Sequence, residues 1–284
     1  MNTQNLTGDC LDVMRQMPDK SVDLVFCSPP YEDARTYGIG FKLKGQEWVD
    51  WCIPRFMECL RISKGLVAWV VNGRQSAYRW TATPAMLMVD LHRAGVCLRR
   101  PKIFSRRGIP GSGGPDDLAN CYEWIVCATG VAGRLPWSDN LAMGKPWKHP
   151  PGGTLSYRMV DGERVNVYTM RRTSGYKEGD TAMRMKGLTP KDKANPGDVI
   201  DCGSVGGGHM GSRLCHENEA PFPEKLAEFF VRSFCPPGGT VLDCFGGSGT
   251  TAAVAVRHGR NAISIDVRES QTELTGRRLL EVAA

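Results

Sequence analysis

Residues 22–27 read Val22-Asp23-Leu24-Val25-Phe26-Cys27, a short and almost wholly apolar run with polar residues on either side. That length and composition predict a strand covered on both faces, because a helix of this size would show a polar stripe. Residues 65–71 and 239–242 follow the same pattern, and residues 5–10, 124–128 and 262–266 read as further strands. Between them lie stretches with apolar residues every three or four positions, at 47–60, 83–94, 224–234, 251–258 and 270–282, which predict helices. Pro54 inside the first of these argues against one continuous helix there. Strands alternating with helices at both ends of the chain predict an α/β fold built on a mostly parallel sheet.

The texture changes between residues 129 and 214. Periodicity fades, Pro and Gly become frequent, and thirteen Lys and Arg face eight Asp and Glu. We therefore expect three parts: residues 1–128, an irregular basic region at 129–214, and residues 215–284 completing the first part. The basic region is the expected contact for a polyanion such as nucleic acid.

Bulk composition narrows the class. The chain has 284 residues, with no stretch approaching the roughly 20 apolar residues of a membrane span, and its polar start, Met1-Asn2-Thr3-Gln4-Asn5, lacks the pattern of a secretory signal. A cytoplasmic protein is expected. Its 11 cysteines are scattered, with no C-x-x-C pair, so they predict small core residues and no metal site. His149, His209 and His216 are expected to be polar loop residues. The formal net charge of +6 permits a polyanionic partner without requiring one.

Two loops carry candidate chemistry, each after a predicted strand. The later one, Asp243-Cys244-Phe245-Gly246-Gly247-Ser248-Gly249-Thr250-Thr251, leads into a helix, and its glycines let backbone approach a ligand. Phosphate is a poor fit, since no Lys follows Gly249 and Ala252 stands where a dinucleotide fingerprint needs a third glycine. Asp266, ending the next strand, can accept hydrogen bonds from both hydroxyls of a ribose, and Asp243 can meet a cationic amine. Ribose and amine without phosphate describe S-adenosylmethionine. The earlier loop, Ser28-Pro29-Pro30-Tyr31, has lost two backbone donors to proline and so presents acceptors: the Ser28 hydroxyl and the Pro29 carbonyl can hold an exocyclic NH₂, while Tyr31 offers a face for a planar base. Accepting those protons makes the nitrogen nucleophilic.

With these motifs in this order, the chain resembles the β class of DNA amino-methyltransferases, in which the catalytic motif comes first, the target recognition region next and the S-adenosylmethionine motif last. The resemblance covers both ends of the chain and is thin over residues 32–215. It implies a Rossmann-like methyltransferase fold with a mostly parallel seven-stranded sheet in circularly permuted motif order, and an inserted target recognition region. It assigns Ser28, Pro29, Pro30 and Tyr31 to the target base, and Asp243, Phe245, Gly247, Gly249, Thr250 and Asp266 to the cofactor, with Asp9 and Phe222 as further walls of that pocket. Adenine enzymes of the class commonly begin the catalytic motif with Asp, and Ser28 is similar to the cytosine-N4 branch. The resemblance thus implies methylation of cytosine N4 in double-stranded DNA by base flipping and direct in-line transfer, with adenine N6 as the alternative.

Methylation at cytosine C5 would need a Cys nucleophile, usually in a Pro-Cys pair, and the chain contains none. RNA- and glutamine-modifying enzymes with a similar loop place the cofactor motif first, and a catalytically silent DNA-binding regulator would not need both loops intact. A cognate restriction endonuclease and a homodimer are partners the class allows. Residues 32–46, with Arg35, Tyr37, Lys42 and Lys44, are read as a loop that either closes over DNA or simply connects, and Arg106 and Arg107 as phosphate contacts or an exposed basic turn.

Overall fold

The computed structural model describes residues 1–33, 40–107, 113–146, 156–158, 164–166, 193–204, 210–218 and 220–283. By its internal contacts the chain forms two units: Met1–Met143 with Pro196–Ala284, and Gly144–Asn195.

The first unit is built on an eight-stranded sheet. In chain order its strands are β1 (Thr3–Thr7), β2 (Val22–Cys27), β3 (Ser63–Val71), β4 (Cys97–Arg107), β5 (Tyr122–Thr129), β6 (Val199–Ser204), β7 (Thr240–Asp243) and β8 (Asn261–Asp266). In space they run β1-β8-β7-β2-β3-β5-β4-β6, with every pairing parallel except the two made by β5. The sheet is mostly parallel, as expected, and has eight strands where seven were expected. The additional edge strand, β6, comes from the segment read as irregular.

Its helices are α1 (Cys10–Arg15), α2 (Gly45–Ile62), α3 (Thr83–Arg93), α4 (Glu224–Phe234), α5 (Thr250–Arg257) and α6 (Glu269–Ala283). α2 is continuous through Pro54. Pro54 and Asp50, the residue whose carbonyl loses its helical partner, are both exposed, so water can take the place of the missing hydrogen bond. The central strands are buried on both faces, with side chains alternating between two cores. Val25 and Cys27 of β2 and Val67, Trp69 and Val71 of β3 join Trp48, Val49 and Phe56 of α2; Leu24, Phe26, Leu66, Ala68 and Val70 join Leu226 and Phe230 of α4. Helices therefore cover both faces, which leaves the carboxyl ends of β1, β2, β3, β7 and β8 at one sheet edge, each opening into a loop.

The described parts of the second unit are two short antiparallel ladders: Lys145–Pro146 with Lys193–Ala194, and Ser156–Arg158 with Arg164–Asn166. No helix among the described residues is long and apolar enough to cross a membrane.

Candidate active site

The loops at that sheet edge surround a cavity of about 830 Å³ in the first unit. Its lining includes Asp9 after β1, Ser28, Pro29, Pro30 and Tyr31 after β2, Asn72 to Gln75 after β3, Phe245 to Ser248 and Thr250 after β7, and Asp266 to Arg268 after β8. Of the twelve residues singled out from the sequence, ten line the cavity. Asp243 and Gly249 do not.

The glycine-rich loop is folded by contacts from behind. Gly247 and Gly249 both have positive φ, +51° and +73°, and a side chain at Gly249 would strike Thr275 of α6. Asp243 is 2% exposed, and its carboxylate accepts the Phe245 amide at 3.1 Å. It thus shapes the loop from beneath. Burial pushes its carboxyl up to about 7, against hydrogen bonds from Thr251 and the Phe245 amide that pull it down. Asp266 bridges two loops, accepting from the Gly247 amide and the Arg268 amide, both at 2.9 Å, and it stays on the cavity wall.

Asp9 caps α1, accepting the Leu11 amide at 2.8 Å, and its other oxygen meets Arg55 of α2 at 2.7 Å. The Arg55 guanidinium lies 3.9 Å from the centre of the Trp51 ring, which faces Phe245 at 5.8 Å. Phe222 packs edge-on against Phe26 at 5.4 Å. This end of the cavity is aromatic-walled with two carboxylates.

At the other end the Ser28 hydroxyl donates to the Val70 carbonyl at 3.0 Å. The Tyr31 hydroxyl is a second acceptor for the same proton at 3.4 Å, so that proton is taken up within the protein and the oxygen's lone pairs are what remain for a ligand. Trp48 donates to the Pro30 carbonyl at 2.8 Å and so fixes the double-proline turn. Tyr31 donates to Glu123 of β5 at 2.8 Å, and Glu123, 5% exposed, is ion-paired with Arg106 of β4. Arg106 therefore lines the cavity, and a simple exposed basic turn is excluded for it. Behind the loop, Glu32 accepts from the Gly45 and Arg74 amides and from Thr83 and Thr81. Against the upward pull of burial, those bonds hold its carboxyl below the ordinary range.

Cys27 precedes Ser28, lies 3.5 Å from Cys244 and is fully buried; burial pushes its thiol up to about 12, so it is protonated at neutral pH and unsuited as a nucleophile. His216 lines the cavity from a short 3₁₀ turn, Arg213–Glu217, a place that its reading as a loop residue did not anticipate. Arg55, Asn72, Glu123 and Asn218, also in the lining, went unnoticed in the sequence. Residues 34–39, Arg107's side chain, His149 and His209 lie outside the described residues.

The profile of the DNA methylase family matches residues 22–277. The chain belongs to that family. It is a DNA methyltransferase of the N4/N6 kind, and its relatives divide by base. It is 24% identical to the DNA adenine methyltransferase YhdJ of Escherichia coli K12, over 98% of this chain and 82% of that one. It is also 24% identical to the type II methyltransferase M.PvuII of Proteus hauseri, over 96% and 82%, and 26% identical to the orphan methyltransferase M.BamHII of Bacillus amyloliquefaciens, over 92% and 89%. Its fold matches the cytosine-N4-specific PvuII DNA methyltransferase with a TM-score of 0.68 at 17% identity, covering 100% of this chain and 90% of that one. A complex of M1.HpyAVI with SAM matches with 0.52 at 14% identity, covering 98% and 100%.

Proposed function

We propose that this DNA methylase transfers a methyl group from S-adenosylmethionine to the exocyclic N4 of cytosine in duplex DNA. The observation that carries methylation of an exocyclic amino group is the Ser28 hydroxyl, whose proton is taken up by Val70 or Tyr31. Because that proton is taken up within the protein, the hydroxyl meets an amino group as an acceptor. Serine at this position in place of the usual acid, and the likeness to PvuII DNA methyltransferase, support cytosine as the base.

The residues at the other end fit S-adenosylmethionine. Asp266 would take the ribose hydroxyls, Phe245, Trp51 and Phe222 would wall the adenine, and Asp9 would border the amino-acid part, with Gly247, Gly249 and Thr250 shaping the loop and Asp243 supporting it. Bound there, the cofactor supplies an electrophilic methyl group. The chain's own part is positional. The target base leaves the stack at a cost of a few kcal/mol. Ser28 and the Pro29 carbonyl then accept the amino protons and aim the nitrogen's lone pair, while Tyr31, fixed by Glu123 and Arg106, packs the ring. No covalent intermediate on the enzyme is needed. Target selection belongs to the basic region between the two ends, whose centre is the Gly144–Asn195 unit.

The test is incubation with S-adenosylmethionine and unmethylated DNA, followed by mass spectrometry of the digested nucleosides. N4-methylcytosine is expected. N6-methyladenine would transfer the proposal to the other base, in line with the likeness to YhdJ, and neither product would refute methyl transfer by this chain.

A further inference from the structure

The loop after β3 carries a feature that the catalytic arrangement leaves unused. From Asn72 to Gln75 it lines the cavity, and it then leaves the rim as a two-stranded hairpin, with Gln75 opposite Trp80 and Ser76 opposite Arg79. The two tip residues, Ala77 and Tyr78, have φ of 48° and 60°. Paired left-handed residues make the tight hairpin turn that Asn and Gly normally fill; a tyrosine there is strained. Such strain persists only where the surroundings impose it, and it concentrates at functional positions.

The base of the hairpin supplies that imposition. Thr81 and Arg74 exchange backbone and side-chain hydrogen bonds, with the Arg74 amide 2.8 Å from the Thr81 hydroxyl and the Thr81 amide 2.8 Å from the Arg74 carbonyl. Glu32, in the loop that follows Tyr31, accepts from the Arg74 amide and from Thr81. Gly73 lies under the Trp80 indole, where any side chain would collide with the ring. Gln75 is tied to Asp117 across the neighbouring turn. The hairpin is thus braced to the catalytic loop itself. At its tip, Tyr78 is 71% exposed, next to the exposed Arg79.

A rigid aromatic ring held out beside the cavity that receives a base, with a cation adjacent to meet phosphate, has the form of a wedge for a base stack. We propose that Tyr78 enters the DNA helix next to the target and fills the gap that the extruded base leaves. This rests on the base-flipping reading above and extends it to the partner face of the DNA. Aromatic stacking offsets the lost stacking of the flipped base, and the bracing of the hairpin to Glu32 places the ring at a set distance from Ser28.

The methylated site is first mapped in DNA from cells that express the chain. Wild type and Y78A are then compared on a synthetic duplex carrying that site and on the same duplex with the target mispaired, which lowers the cost of extrusion. For Y78A, kcat/KM on the matched duplex should fall by about tenfold to a hundredfold, the scale of one lost base–aromatic stack, and most of that deficit should vanish on the mispaired duplex. Y78F should retain activity, and S-adenosylmethionine affinity should be the same in all three proteins, showing that the fold is intact. Equal rates for Y78A and wild type on the matched duplex, or an equal deficit on both duplexes, would overturn the wedge. A duplex with 2-aminopurine at the target reads extrusion without methyl transfer: a fluorescence rise in wild type that Y78A lacks would keep the wedge even if no methyl moved, and methyl transfer with no Tyr78 dependence would sink the wedge alone.

Discussion

Asp243 ties loop geometry to solution behaviour through one proton. Its carboxyl stands near 7 in the folded chain because burial disfavours the charge, against 3.8 for the ordinary group. Between those values the folded chain holds a proton that the unfolded chain has released. The stabilising share of the protonated group is therefore complete below about pH 3.8 and is lost as pH rises through 7. At about 1.4 kcal/mol for each pH unit separating the two values, the loss amounts to a few kcal/mol. Asp243→Asn keeps an oxygen for the Phe245 amide and removes the titration. Urea unfolding should show this variant to be more stable than wild type at pH 8 and flatter between pH 4 and 7; a wild-type slope in the variant would contradict the argument. Glu123 poses a different case, since it joins Tyr31 to the half-buried Arg106. Glu123→Gln keeps an acceptor for the tyrosine but removes the negative charge that faces Arg106. About 1–2 kcal/mol of stability should be lost as a charge-assisted hydrogen bond becomes a neutral one, and kcat should fall about tenfold or more with cofactor affinity unchanged, read by thermal unfolding and single-turnover transfer.

Among the elements, α6 does more than cover the sheet. Arg278, fully buried, donates to the Ser248 carbonyl at 3.2 Å, the Thr250 hydroxyl at 2.8 Å and Glu224 of α4 at 2.6 Å, so the C-terminal helix clamps the glycine-rich loop from behind. Burial pushes the Glu224 carboxyl up, but hydrogen bonds and charge from Arg257 and Arg278 more than offset this and hold it below its ordinary range. Arg278→Met should cost about 3–5 kcal/mol, because Glu224 loses a buried partner, and should weaken S-adenosylmethionine binding in calorimetry while kcat at saturating cofactor changes less. None of this clamp is visible in the sequence, where Arg278 is one charged residue in an amphipathic helix. What was legible were elements whose local pattern answers to a single environment: β2, β3, β7 and β8 lie inside two cores, and the motif residues sit at their ends. β4 was missed because Cys97–Arg107 carries Arg99, Arg100, Lys102 and Arg106 and breaks register around Pro101. β6 was missed because it is an edge strand, with Val199 58% exposed, inside a Pro- and Gly-rich stretch. Glu123 and Arg55 were missed for another reason: their partners lie 92 and 46 positions away, a separation that no local periodicity records.

At the scale of the molecule, charge is divided unevenly. Eleven of the 36 Lys and Arg and five of the 30 Asp and Glu fall between Gly144 and Asn195, leaving 25 of each for the other unit. The unit that holds the cavity is formally neutral, and the whole net charge of +6 resides in the inserted unit. A neutral catalytic unit has little long-range attraction for DNA, whereas each neutralised phosphate makes binding steeply salt-dependent. The short ladder of Lys145–Pro146 with Lys193–Ala194 brings the two ends of the insertion together, so residues 147–192 can be replaced by a Gly-Ser turn without stretching the chain on either side. The shortened chain should fold and bind S-adenosylmethionine with affinity within about threefold of the full chain, a difference under about 1 kcal/mol, because among the described residues every one that lines the cavity lies outside the excised segment. Its affinity for duplex DNA should fall, and a plot of log affinity against log salt should become markedly shallower. Site-specific methylation should disappear. If the shortened chain kept the full salt slope, DNA would have to be held by the cavity unit, and the division of labour drawn from the charge would be wrong.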